Sequence, residues 1–180
     1  MAKIWLALVA LLLLAAPTAA FAESAQPFTA SGNICLTQLP QRIRVAPQPT
    51  GIRLIALGEK EAGVIVYSSG WDALNGAAVN ITITREESVF DFTTLTFSGK
   101  INGTLVVTTT SKVLNGKLEG TVNGAFLDPS DILGSITGSS VQVNWLIKGK
   151  DAKASGQATA SFALTGDGFC GPLSLDGTVR

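Results

Sequence analysis

The chain contains no histidine, and that single absence removes the commonest general base together with the commonest metal ligand. Charge is scarce and balanced, with 13 basic against 13 acidic residues in 180, so nothing steers the protein toward nucleic acid or an anionic membrane. Arg42, Arg44 and Arg53 lie fairly close together, but three arginines on alternating strands do not make a basic patch. Cysteine is limited to two residues without CxxC spacing, which leaves no redox or zinc motif. Only carboxylates remain for acid–base work. The candidates are Asp128 with Asp131, Asp167, and Glu86 with Glu87, and each reads as turn or loop chemistry in water. The expectation is a non-enzymatic protein without cofactor or metal.

What is present begins with an export signal. Lys3 supplies a positive start, residues 4–16 an apolar run, and Ala20-Phe21-Ala22 a small-x-small cleavage site, so residues 1–22 read as a signal peptide. The mature chain would start at Glu23 and be secreted, periplasmic or held at the cell surface, with no membrane attachment after cleavage. Residues 23–32 are small and polar and read as a flexible lead; residues 33–180 read as a single β domain. Export permits a disulfide, and Cys35 with Cys170 is the only intramolecular pairing.

The body of the chain alternates. Val79, Ile81 and Ile83 share one strand face, and Val141, Val143, Trp145 and Ile147 share another. Asn115-Gly116 predicts a type I′ hairpin in which Val113 faces Leu118 and Leu105 faces Phe126. Glu86-Glu87 predicts a turn that sets Ile83 opposite Phe90, followed by a bulge at Thr93-Thr94 where the apolar face changes parity. Ser98-Gly99-Lys100 predicts another hairpin, and residues 149–152 one that places Trp145 opposite Gly156 and Ile147 opposite Ala154. After Gly166-Asp167-Gly168 the chain returns, bringing Leu175 to Phe162. Residues 46–51 read as a proline-rich connector and residues 58–62 as a charged loop in water. Residues 69–76 could hold one helical turn, and Pro129 suggests another.

About ten strands joined by successive hairpins predict an all-β fold, an antiparallel meander closing into a β-barrel of about 8–10 strands. A two-sheet β-sandwich is the alternative, with the N- and C-terminal regions joined by the disulfide in either case. Asn80-Ile81-Thr82 and Asn102-Gly103-Thr104 match the glycosylation acceptor pattern, and no family motif falls on particular residues.

Trp145 alternates with core valines and reads as packing, whereas Trp71 lies in a glycine-bounded loop. Trp71 with Tyr67 or Leu74 is therefore the expected ligand contact at a barrel mouth. The functional expectation is a secreted or periplasmic binding module that holds a small apolar ligand in its barrel or engages a protein partner. The alternative is a structural or cell-surface protein that self-associates through strand edges or loops.

Overall fold

The computed structural model describes residues 24–132, 135–149, 152–166 and 168–180; the expected signal peptide, residues 1–22, lies outside them. Ten strands run β1 (Gln26–Gln38), β2 (Arg42–Gln48), β3 (Gly51–Leu57), β4 (Glu59–Ser69), β5 (Ala78–Asp91), β6 (Thr96–Thr108), β7 (Val113–Phe126), β8 (Ile136–Lys148), β9 (Lys153–Thr165) and β10 (Gly168–Val179). A single 3-10 turn, Asp72–Leu74, lies between β4 and β5. Along most strands buried and exposed residues alternate, because successive side chains of a pleated strand point to opposite faces.

Pairing reduces the ten strands to eight. β3 and β4 both pair with β5 in one register, from Gly51↔Asp91 through Ile83↔Glu59 to Val64↔Ala78, so they form one long strand kinked at Gly58. Gly58 takes a φ of 79°, a conformation that a side chain would strain. Likewise β1 lies on β4 and β2 on β3, so β1 and β2 form a long strand interrupted at Leu39-Pro40-Gln41. The result is an up-and-down antiparallel meander of eight long strands, closed where β1 meets β10. The expected barrel is found, and the sandwich is not.

Closure stops partway. β1 and β10 pair from Gln26↔Val179 to Cys35↔Cys170, and the expected disulfide spans that last rung. Above it β10 continues only on β9, while β1 leads into β2, whose outer edge pairs with nothing among the described residues. The seam is zipped below the disulfide and open above it.

Below, the barrel is filled. Trp145 is buried opposite Gly156, as expected, its ring lies 5.7 Å from that of Phe28, and its Nε1–H donates to the Gln157 carbonyl at 3.0 Å. A glycine opposite a tryptophan gives the indole somewhere to lie, and the alternation of Ala154, Ala158 and Ala160 continues that complementarity along β9. The 3-10 turn plugs the bottom: Leu74 is buried and Trp71 packs edge-on against Phe28 at 5.1 Å.

Several turns differ from expectation, and the differences have one pattern. The Asn115-Gly116 turn is not used; the chain reverses at residues 109–112, where the Ser111 and Lys112 amides donate to Thr109 Oγ1. The ladder is Leu105↔Gly116 and Val107↔Leu114, an even displacement from the expected register. An even slip keeps each residue on its face, so Leu105, Val107, Leu118, Val122 and Phe126 are buried as expected with different partners. Val113, expected to face Leu118, is 60% exposed. Gly116 instead serves a close approach, since a Cβ there would lie 2.8 Å from the Leu146 carbonyl oxygen.

β5 likewise runs straight through Glu86-Glu87 and turns at residues 92–95, where Asp91 Oδ1 accepts from the Thr93 and Thr94 amides. The expected bulge at Thr93-Thr94 is that turn. The parity change falls earlier, at Thr84, between Ile83↔Gly103 and Arg85↔Asn102. Ser98-Gly99-Lys100 is interior to β6, Gln26–Gly32 form the first half of β1 rather than a flexible lead, and residues 46–48 belong to β2. Leu175 pairs with Ala158, leaving Phe162 to stack on Phe169. Residues 127–132 form turns and bends rather than a helical turn at Pro129.

The loop closed by Cys35–Cys170 spans 135 residues of sequence. A Cys35→Ala, Cys170→Ala double variant is expected to lose about 4–5 kcal/mol of stability in urea unfolding, as chain entropy predicts for so long a loop. Amide exchange should quicken first at the upper rungs of the β1–β10 seam.

Candidate functional site

The upper half of the barrel is hollow. It encloses a cavity of about 450 Å³, against voids of about 40 and 30 Å³ in the packed part below. The size is that of a small-molecule site, ~300–1,000 Å³. One wall is aromatic: Phe90 stacks on Phe97 at 4.8 Å, and the buried Phe126 packs behind them at 5.6 Å from Phe90. The other wall carries the Phe162–Phe169 stack at 5.6 Å. The mouth is the open seam, with Leu36, Leu39 and Ile43 on one lip and Leu164 and Phe169 on the other. Leu39 and Leu164 are 70% and 71% exposed, so the entrance itself is apolar.

Three carboxylates interrupt this apolar surface: Glu59 and Glu61 from β4 and Glu86 from β5. Their inward direction comes from the kink. β3 faces the interior with Leu54 and Ala56, and the extra residue at Gly58 brings Glu59 and Glu61 to the same side. On β5 the shift at Thr84 does the same, passing the interior from Ile83 to Glu86, Ser88 and Phe90. Gly58 N–H donates to the Ile83 carbonyl at 3.0 Å across the two kinks.

All three are half-buried, because the cavity they face opens to solvent. Burial, with repulsion from Glu86 and Glu61, pushes Glu59 up to about 8. Burial and then Glu86 raise Glu61 to about 7. Glu86 is raised by burial and drawn partly back by the fully buried Ser88, whose hydroxyl donates to its Oε1 at 2.5 Å. Among the described residues, no lysine or arginine lines the cavity. Arg53 and Arg85 are engaged on the outer surface by Glu87, Arg85 at 2.6 Å. Glu87 is correspondingly held below the usual carboxylate range by those two hydrogen bonds. Among the described residues, no grouping of His, Cys, Asp or Glu could hold a metal ion.

Residues 58–62 are thus a strand facing a cavity rather than a loop in water, and Glu86 is not at a turn tip. Trp71 and Leu74 come together as expected, but at the plugged end, where the adjoining void is only about 40 Å³. Tyr67 lies on the outer face at 60% exposure, turned there by a register shift between Ser31 and Gly32 in the β1–β4 ladder. None of the three lines the large cavity. The readable signal for Glu59, Glu61 and Glu86 is a period of two, Glu59 and Glu61 with the buried Ile65 on β4 and Glu86 with the buried Ser88 and Phe90 on β5.

Comparison with protein-family models, with curated proteins and with solved structures finds no match for the chain. Fold and site define it by themselves: a closed eight-stranded antiparallel barrel with a laterally open apolar cavity. The disulfide is compatible with an extracellular location. Among the described residues no helix is long and apolar enough to cross a membrane, which says nothing about strands.

Carboxyls whose ionisation is raised in the folded state hold more protons there than in the unfolded chain, whose ordinary value is 4.5. Their contribution is present below that value and is lost as pH rises through about 7 and 8. The ligand-free protein is therefore expected to show a falling urea midpoint between pH 5 and pH 8. Glu59→Gln should flatten that slope and stabilise the protein at pH 8 by about 1–2 kcal/mol, an amount reduced by solvent in the open cavity.

Proposed function

We propose that the protein is an exported, non-enzymatic carrier that holds a small, largely apolar molecule in the upper half of its barrel. The observation that supports this most is the contrast within one barrel. The lower half is packed as a core should be, and the upper half leaves about 450 Å³ open beside an apolar mouth. Unfilled apolar volume costs stability, so a cavity of this size with a defined entrance fits a ligand site better than a packing defect. The signal-like residues 1–22 and the Cys35–Cys170 bridge support export.

The free outer edge of β2 is the one feature that favours the alternative of self-assembly through strand edges. That edge carries Arg42, Arg44 and Pro47, and charge and proline are the usual means by which edges resist pairing. The carrier reading is therefore preferred.

Titration with the neutral fluorophore N-phenyl-1-naphthylamine tests it. Blue-shifted, saturable emission is expected from the wild type. Ser139→Trp, which fills the cavity from β8, should weaken binding at least tenfold, while Val66→Ser on the outer face should leave it unchanged. Equal binding by the wild type and Ser139→Trp would overturn the assignment.

A further inference from the structure

Resting on the reading of the cavity as a ligand site, we propose that its ligand is a cationic amphiphile, an apolar chain or ring system ending in a protonated amine. The amine would sit among Glu59, Glu61 and Glu86, and the apolar part would lie along the phenylalanine walls toward the open seam.

The argument is one of charge complementarity in a confined space. An apolar ligand needs nothing from a cavity but shape, and every carboxyl placed there takes polar surface out of water without return. This cavity contains three, on two neighbouring strands, with Glu59 and Glu61 on one side of the Gly58–Thr84 kink and Glu86 on the other. Among the described residues, intrinsic counter-ions are missing from it. β4 supplies Glu59 and Glu61 and β5 supplies Glu86, whereas the lining residues from β1, β2, β3, β6, β7, β8, β9 and β10 include no titratable group. The guanidiniums of Arg53 on β3 and Arg85 on β5 are held outside by Glu87. Lys60, between the two β4 carboxylates, is exposed and points the other way. A cation entering from solution is the partner that this arrangement lacks. A primary amine suits it, with three donors on a compact head to meet several carboxylate oxygens.

Charge on the ligand also sets the sign of the pH effect. In the empty cavity Glu59 and Glu61 hold protons near neutrality, and a bound ammonium would favour their release, so its affinity should rise with pH. A neutral ligand of the same length only desolvates them, which favours the protonated form, so its affinity should be flat or fall.

The test compares decylamine, 1-decanol and decanoate below their aggregation concentrations, as competitors of N-phenyl-1-naphthylamine on the wild-type mature protein. A second series uses the Glu59→Gln, Glu61→Gln, Glu86→Gln triple variant, near-isosteric and able to keep the Ser88 hydrogen bond. Expected at pH 8 is tenfold or stronger preference for decylamine over both others, growing from pH 5.5 to pH 8. The triple variant should abolish that preference while still binding decanol. Equal displacement by decylamine and decanol in both proteins, or a decylamine affinity that falls with pH, would overturn the cationic ligand and leave the carrier intact. Absence of any probe binding or displacement in the wild type would overturn both.

Discussion

An antiparallel meander has two unpaired edges until its first and last strands meet, and the β1–β10 seam is where that happens here. Every interior position depends on it, because a sheet that did not close would have no inside for Phe28, Trp145 or Phe126 to occupy. The covalent rung at Cys35–Cys170 does two things at once. It holds together the two strands that are farthest apart in sequence, and it marks the height at which they part. The mouth of the cavity is thus a consequence of how closure is achieved. β1 bends away into β2 just past the disulfide, and the lips left behind are the apolar residues around the β1–β2 interruption and at the tip of the β9–β10 hairpin.

The two halves of the barrel divide the work. In the lower half, large side chains on β8 meet alanine and glycine on β9, and the 3-10 turn seals the bottom with Leu74 and Trp71. Such interlocking supplies stability and a fixed shape. The upper half uses the same strands, but its aromatic residues stack along the walls in pairs and leave the middle empty. A hollow of this kind is tolerable because stacked rings brace each wall independently and the filled half below holds the strand spacing. The location of Trp71, the residue that sequence favoured for ligand contact, follows from this division, since an irregular loop can serve as a plug as readily as a mouth.

Strand faces were legible and registers often were not. The period-two alternation identified the inward residues of β5 to β9 because burial of one face is a strong and repeated signal. Turn dipeptides were weaker guides. Asn115-Gly116 fits a type I′ turn, yet a threonine turn five residues earlier lengthens the ladder, and the additional rungs outweigh a local preference. Residues 149–152 had no such competitor, and the hairpin around them was anticipated pair for pair. The disulfide followed from there being only two cysteines. The carboxylates are hard to place from sequence because charged residues are mostly in loops, and a strand that turns Glu59, Glu61 and Glu86 inward runs against that tendency.

That inversion is built into the backbone at one level. Had β3 and β4 continued without the extra residue at Gly58, the interior positions Leu54 and Ala56 would have been followed by Lys60, with Glu59 and Glu61 facing solvent. Had β5 continued past Ile83 without the shift at Thr84, Arg85 and Glu87 would have turned inward and Glu86 outward. The two kinks are adjacent, linked by the Gly58–Ile83 hydrogen bond, and neither could arise alone without breaking the shared register of the pair. Together they replace two bases and one acid, Lys60, Arg85 and Glu87, with three acids on the cavity surface. A positive-φ glycine is the residue that permits the first kink, so the sign of charge inside the barrel depends on a backbone conformation at Gly58 rather than on the carboxylates alone.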